Sequence, residues 1–151
     1  MTDVIKDFPT FTDPLRRVLA VTIGDTRIID LYVPNGQSLD SEKYSYKLEW
    51  LEHLHTFLQD ELTRHEKIIV LGDFNIAPED IDVHDPKSWE GSVLVSAKER
   101  DAFKKVLQLG FNDSFRMHFP EEQAFSWWDY RLNAFKRNLG LRSDHMLISP
   151  A

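Results

Sequence analysis

Apolar residues cluster in four short segments that predict β-strands. The segments 17–23 (RVLAVTI) and 26–33 (TRIIDLYV) are rich in β-branched residues, and Gly24-Asp25 between them is a two-residue hairpin signal. The run 67–71 (KIIVL) is apolar throughout, as expected of a strand that is buried on both faces. The segment 145–149 (HMLIS) predicts one more strand.

Two other segments have the spacing of helices. In the segment 40–64 apolar residues recur every three or four positions, which predicts an amphipathic helix. These residues are Tyr44, Leu48, Leu51, Leu54, Leu58 and Leu62. Ser96 and Glu99 form a capping-box pattern that opens a second helix, and Gly110 is its stop signal. Because strands alternate with helices, the pattern predicts α/β layers in a single domain over residues 1–151.

Composition narrows the class of protein. The chain has 151 residues, of which 42% are hydrophobic and 28% charged, as in ordinary globular proteins. With no cysteine, a disulfide framework and a thiolate metal site are excluded. No signal peptide or membrane span is recognisable, so we expect a cytoplasmic protein without a membrane partner. The net charge of -7 argues against a protein that coats nucleic acid by charge alone, although it is compatible with a nuclease.

The segment 70–78 (VLGDFNIAP) carries the strongest candidate chemistry. A buried strand ends at Leu71, Gly72 lets the backbone turn, and Asp73 and Asn75 follow. Residues two apart at a strand end point the same way, so a carboxylate and an amide oxygen project together from the edge of a sheet. This pair suits Mg²⁺, and the carboxylate could also activate water. The D-x-N pattern is also common in ordinary turns.

Two further segments have both a functional and a structural interpretation. Tyr32, near the end of a predicted strand, can bind a phosphate oxygen or be an edge aromatic with its hydroxyl in water. The segment 125–145 alternates aromatic and basic residues, which favours a surface for splayed nucleotides over a loop folded onto the core. These residues are Trp127, Trp128, Tyr130, Arg131, Phe135, Lys136, Arg137 and Arg142.

Taken in order, the motifs LYVPNG, GDFNIAPEDIDV, FSWWDYR and RNLGLRSDH resemble those of the exonuclease III family of abasic-site endonucleases. The resemblance extends from about residue 3 to the last residue. It implies a DNase I-like α/β/β/α sandwich of four layers, and we expect this chain to lack its first strands and its last strand. It also implies a DNA phosphodiesterase of base-excision repair, dependent on Mg²⁺ or Mn²⁺, that acts on abasic sites and on 3′ ends of duplex DNA.

The resemblance assigns roles to individual residues. Tyr32 would contact the scissile phosphate, and Asp73 would activate water or protonate the leaving group. Asn75 would contact the phosphate and, with Asp73, the metal, while Asp144 would support an active-site histidine. Residues implied in DNA binding are Asn35, Trp127, Tyr130, Arg131, Asn138, Leu141 and Arg142, in which Trp127 and Leu141 take the wall positions of the abasic-sugar pocket.

The sequence departs from the family pattern in two places. No candidate for the family's early Asn, or for the Glu that is its principal metal ligand, precedes Asp3. The closing SDHxP motif is also absent, because Ser143-Asp144-His145 follows Gly140-Leu141-Arg142 as in the family's earlier GxRxDH motif.

From these departures we expect very weak or no catalysis by the chain alone. The alternatives are a non-catalytic DNA-binding remnant and a phosphatase-like branch of the superfamily that shares GDxN. We also expect self-association, since the missing strands would expose sheet edges and apolar faces.

Overall fold

A computed structural model describes residues 2–9, 11–13, 16–129 and 135–150. The strands are β1 (Thr2–Ile5), β2 (Val18–Ile23), β3 (Thr26–Tyr32), β4 (Lys67–Asp73), β5 (Asn112–Asp113), β6 (Trp127–Trp128), β7 (Gly140–Leu141) and β8 (Asp144–Ile148). The α-helices are α1 (Glu42–Arg64), α2 (Pro86–Trp89), α3 (Ala97–Gln108) and α4 (Ser114–His118), and a 3₁₀ turn covers Asp80–Asp82.

Six strands form one mixed sheet in the order β1-β2-β3-β4-β8-β5. The hairpin of β2 and β3 is antiparallel, while β3 and β4 are parallel and are joined through α1. β8 pairs antiparallel with β4 on its other side. The ends of β3 and β4 therefore meet the start of β8 at one edge of the sheet, and β6 and β7 form a separate two-stranded ribbon.

Helices α1 and α3 cover one face of the large sheet. Ser41 caps α1 by accepting a hydrogen bond from the Lys43 amide, and the helix buries Trp50 and Leu54 completely. These side chains share one core with Ile29 and Val70 of the central strands and with apolar residues of α3. The helical face of the sheet is thus a closed hydrophobic core.

The opposite face of the same strands is apolar and largely uncovered. Because side chains alternate along a strand, every second residue of β2, β3, β4 and β8 points away from the helices. We call this surface the open sheet face; its apolar members are Leu19, Val21, Ile23, Ile28, Ile69, Leu71, Met146 and Ile148. Leu19 is 45% exposed and Met146 46%. Asp30, which is exposed, lies on this face between Leu19 and Leu71. The apolar residues around it form the kind of surface on which another surface packs.

The predicted α/β class is confirmed, and the predicted strands and both long helices are present within a few residues of their expected ends. Several short elements were not predicted from the pattern, β1, α2 and α4 among them. β1 pairs with β2 although its segment is polar, because backbone pairing does not require apolar side chains. α2 lies between β4 and α3, and α4 follows β5, where the Asp113 carboxylate caps it. In the described part of the chain no helix is long and apolar enough to cross a membrane.

Gly72 of β4 has no room for a side chain. Its φ is +132°, and a Cβ built there would lie 2.0 Å from the carbonyl oxygen of Leu31 on the paired strand. We expect Gly72→Ala to lower the free energy of unfolding by about 3 kcal/mol or more, because the backbone must move. Gly24→Ala is the matched control, since nothing lies within 4 Å of its Cβ and a φ of +61° costs about 1–2 kcal/mol. Urea unfolding followed by circular dichroism measures both, and equal midpoints would contradict this account.

Candidate active site

Three polar side chains stand in one row across three neighbouring strands. Tyr32 of β3 lies opposite Asp73 of β4, and Asp73 lies opposite Asp144 of β8. Strand alternation points all three toward the open sheet face, at the edge where β3 and β4 end. Neighbouring strands are about 4.8 Å apart, so the phenol and the two carboxylates are close neighbours.

Asp73 is the electrostatic centre of this row. Burial raises the pKa of its carboxyl, and the negative charge of Asp144 raises it further. Two effects lower the pKa of Asp73: the main-chain N–H of Asn75 donates to Asp73 Oδ1 at 2.9 Å, and the positive charge of Lys47 lies nearby. Asp73 is therefore a carboxylate with one oriented oxygen and a raised proton affinity, which suits it to accept and release a proton.

Asn75 is held by its own side chain in an unusual backbone conformation. Its φ is +49°, in the left-handed region that Asn tolerates better than most residues. Its Nδ2 donates to the carbonyl of Val33 at 2.7 Å, and its Oδ1 accepts from Asn35 Nδ2 at 3.3 Å. The loops after β3 and β4 are thus connected by two amide side chains, and the main-chain N–H of Asn75 contacts Asp73.

Two clefts meet at Asp73. One, of about 1030 Å³, is lined by Tyr32 and Asn35 among others. The other, of about 470 Å³, is lined by Asp144 and by aromatic side chains. Gly72 and Asp73 line both clefts, so a ligand in either one reaches the same carboxylate.

Aromatic side chains form one wall of the smaller cleft. Phe115 and Phe125 line it, while Trp127 lies outside and packs edge-on against Trp89. Ser126 has a positioning role that the sequence did not reveal, because its Oγ accepts hydrogen bonds from the amides of Ser143 and Asp144, both at 3.0 Å. The sequence contains the Ser143-Asp144 pair, but it does not show that Ser126, 18 residues before Asp144, accepts hydrogen bonds from the two amides.

Leu141, expected as a wall of the abasic-sugar pocket, and Arg142, expected in a DNA-binding loop, are both buried. Leu141 is fully buried in a small core with Val83. Arg142 donates to Asp82 Oδ1 at 2.7 Å and to Asp113 Oδ2 at 2.8 Å, so its guanidinium is paired with two carboxylates. Their positions in the motif implied a role in DNA binding, whereas in the structure both side chains pack against other parts of the protein.

The remaining residues implied in DNA binding are exposed or lie outside the described residues. Asn35 and Asn138 are exposed, and Asn138 Oδ1 accepts from Trp128 Nε1 at 3.3 Å. Trp127 is 38% exposed. Tyr130 and Arg131 lie outside the described residues.

His145, beside Asp144, is a structural residue. It is buried on the helical face of the sheet, and its Nε2 lies 2.8 Å from the carbonyl oxygen of Ile76, which can only accept. Nε2 therefore carries the hydrogen, and Nδ1 accepts from Arg142 at 3.1 Å. Burial, and after it the Arg142 charge, lower the pKa of His145 to about 4, so the imidazole is neutral at pH 7.

The donor set at the row fits a hard divalent cation in part. Asp144 is close enough for its charge to raise the pKa of the Asp73 carboxyl, a repulsion that a cation would relieve, and the main chain of Asn75 lies beside Asp73. Among the described residues, however, no three acidic or imidazole side chains gather into a metal-binding group. Further ligands would have to be water, phosphate or groups outside this chain.

A family model described as "Endonuclease/Exonuclease/phosphatase family" matches residues 1–151. The chain belongs to this family. A curated relative, an exodeoxyribonuclease from Bacillus subtilis, is 36% identical over 134 residues, which are 88% of this chain and 52% of the relative. Members of the family are generally dependent on a divalent metal.

Two solved structures share the fold closely. A 3′ phosphatase from Neisseria bound to a product DNA hairpin gives a TM-score of 0.96 at 46% identity, and covers 98% of this chain and 58% of that one. An AP endonuclease from Archaeoglobus fulgidus gives 0.92 at 39% identity, with the same two coverages. The predicted exonuclease III-type family and its DNase I-like fold are confirmed. The chain spans about half the length of the curated relative and 58% of each solved chain, so it holds part of their fold.

The buried imidazole predicts acid sensitivity. In the unfolded chain a histidine titrates near pH 6.5, whereas His145 titrates at about 4 in the folded protein. Between these values the unfolded state binds a proton that the folded state does not. The contribution of His145 to the free energy of unfolding should therefore fall by up to about 3 kcal/mol as the pH is lowered through this window. Urea midpoints from pH 7 to pH 4 should drop less steeply for His145→Gln, and an unchanged slope would contradict the assignment.

Proposed function

We propose that this chain is part of a divalent-metal-dependent DNA phosphodiesterase of the exodeoxyribonuclease III type, which acts on abasic sites and 3′ ends in base-excision repair. The row formed by Tyr32, Asp73 and Asp144, with Asn75 beside it at the junction of two clefts, is the observation that carries the proposal. The relatives named exodeoxyribonuclease, 3′ phosphatase and AP endonuclease support it, because all of these names describe cleavage of phosphate esters.

Each side chain of the row has a chemical role in this proposal. Tyr32 is 59% exposed, so its hydroxyl is free to donate a hydrogen bond to a phosphate oxygen. Asp73, whose pKa is raised, takes a proton from water or returns one to the leaving oxygen. Asn75 presents its amide to the same phosphate, and Asp144 adds negative charge at the edge of the smaller cleft.

Mg²⁺ or Mn²⁺ would be held by Asp73 and Asn75 in this proposal. When bound, such an ion supplies positive charge that stabilises the phosphate during cleavage. The residues themselves keep the oxygen donors oriented, since Asp73 Oδ1 and Asn75 Oδ1 each accept a hydrogen bond from a loop amide.

DNA would lie across the edge of the sheet that holds both clefts. Asn35, Trp127 and Asn138 are exposed there or on the neighbouring ribbon and loop, and Tyr130 and Arg131 belong to the same aromatic and basic segment. The Neisseria relative bound to a DNA hairpin supports a nucleic-acid ligand for this surface.

A second candidate function is DNA binding without cleavage. The small number of acidic ligands favours it, because the described residues do not gather three of them. We propose that cleavage by this chain alone is very weak, while binding of abasic or 3′-ended duplex persists.

The test is nicking of a duplex that holds one abasic analogue, with Mg²⁺ and with chelator. We expect trace cleavage that requires Mg²⁺ and is lost in Asp73→Asn, while salt-sensitive duplex binding is kept. Asp101→Asn, an exposed carboxylate on α3, is the matched control and should change neither readout. Robust cleavage that Asp73→Asn removes would overturn the expectation of a weak chain, and cleavage insensitive to Asp73→Asn would overturn the assigned site.

Self-association of the chain through the open sheet face is part of the proposal. The accessible surface is 8924 Å², and a compact monomer of 17.7 kDa exposes about 8,000 Å². The excess, roughly 1,000 Å², is comparable to what one partner buries in a typical stable interface. A second copy would cover apolar residues with apolar residues.

Light scattering after size exclusion at micromolar concentration checks this association. Leu19→Lys and Ile23→Lys place charges on the open sheet face at sites that are already half exposed, so both variants should fold and run as monomers. Met117→Lys on α4, at a site 55% exposed and away from this face, should keep the assembly of the unmodified chain. A monomeric unmodified chain would refute the proposal.

A further inference from the structure

A charged side chain lies buried beneath the candidate site. Lys47 of α1 is fully buried, and its ammonium has three partners. Its Nζ donates to the main-chain carbonyls of Asn35 at 3.1 Å and Asn75 at 2.6 Å, and to Glu99 Oε1 at 3.1 Å. All three protons of the ammonium are thus used, two of them on the loops that carry the amide side chains of the site.

Glu99 balances this charge from the first turn of α3. It is fully buried, and its other oxygen, Oε2, has no hydrogen-bond partner among the described groups. Its helix is capped by Ser96, whose Oγ accepts from the Glu99 main-chain amide and lies 2.7 Å from the Tyr44 hydroxyl of α1. The ion pair therefore bridges two helices and both loops at one point.

The loop after β3 also rests directly on the stem of this lysine. A Cβ at Gly36 would lie 3.1 Å from the Lys47 Cδ, so the loop backbone is in close contact with the side chain. Contact with the aliphatic part of Lys47 sets how far this loop lies from the helix. The two hydrogen bonds from Lys47 to main-chain carbonyls set the distance between this loop and the loop after β4. The bond from Asn35 Nδ2 to Asn75 Oδ1 depends on that spacing.

Stability alone does not require such a pair. Two buried charges lose their hydration, and well-packed apolar residues of similar volume often stabilise a protein equally well or better. What apolar residues cannot do is to hold two main-chain carbonyls at a fixed separation. The contacts that distinguish Lys47 from a core residue are therefore the ones it makes with the loops.

We propose that Lys47, held by Glu99, is a positioning residue that sets the amide side chains of Asn35 and Asn75 beside Asp73. The proposal rests on the proposed function, because the placed amides matter only when they meet a phosphate or a metal ion. Lys47 itself is buried below the site and does not touch substrate.

The decisive variant is Lys47→Met combined with Glu99→Leu, which removes both charges and keeps the volume. Lys47→Met alone leaves Glu99 buried and unpaired, so it is expected to lower the melting temperature and serves only as a reference. In the double variant we expect a melting temperature close to that of the unmodified chain. Side-chain amide signals of Asn35 and Asn75 in NMR spectra should shift, and binding of an abasic duplex should weaken at least tenfold.

The control is Arg27→Met combined with Glu61→Leu. This second buried ion pair joins β3 to α1 with an N–O distance of 3.2 Å and lies away from the loops of the site. Its removal should leave the two amide signals and duplex binding unchanged. If Lys47→Met with Glu99→Leu also leaves both unchanged, the pair has no positioning role and the proposal is overturned.

A second variant keeps the proposal testable if the first does not fold. Glu99→Gln preserves the shape and leaves the Lys47 bonds to both carbonyls, so we expect unchanged amide signals despite a lower melting temperature. Signals that move as far as in Lys47→Met would overturn the proposal. Failure of the proposed function is recognised separately, because the unmodified chain would then not bind duplex while the amide signals still report on the loops.

Discussion

The parallel pairing of β3 with β4 is the contact on which the rest of the structure depends. A parallel pair needs a long crossover, which α1 provides, and it brings two strand ends to the same edge. Gly72 allows the pairing to continue to the last residue, because a side chain there would meet the Leu31 carbonyl. Without those final pairs, Tyr32 and Asp73 would not be neighbours, and β8 would have no edge on which to place Asp144.

Buried charges connect this edge to the body of the fold. Arg142 joins Asp82 and Asp113, so the loop after β4 and the start of α4 are held against β8. Lys47 joins Glu99 to the two loops on the other side. The site thus lies between two ionic groups, each of which connects chain segments that are far apart in sequence. These connections, more than the loops themselves, fix the positions of the side chains of the site.

The sequence predicted the parts of the site that lie on regular structure. Asp73 and Tyr32 were predicted to lie near the ends of strands. The strand order seen in the structure places them side by side. It did not predict burial, which depends on what packs against a residue: Leu141 and Arg142 have the right motif positions but face inward. A signal for Lys47 was present, because it falls on the apolar stripe of the helix three residues after Tyr44, where a solvated lysine has no place.

Helix α1 carries one interior charge near each of its ends, Lys47 and Glu61, with Glu61 paired to Arg27 on β3. The two residues are separated by about 21 Å along the axis, since each residue rises 1.5 Å. A slip of one position would turn the helix by about 100° and carry both charges into apolar surroundings. The helix therefore has a fixed rotational register near both of its ends. It also fixes the distance between the end of the sheet that bears Tyr32 and the end that bears Arg27.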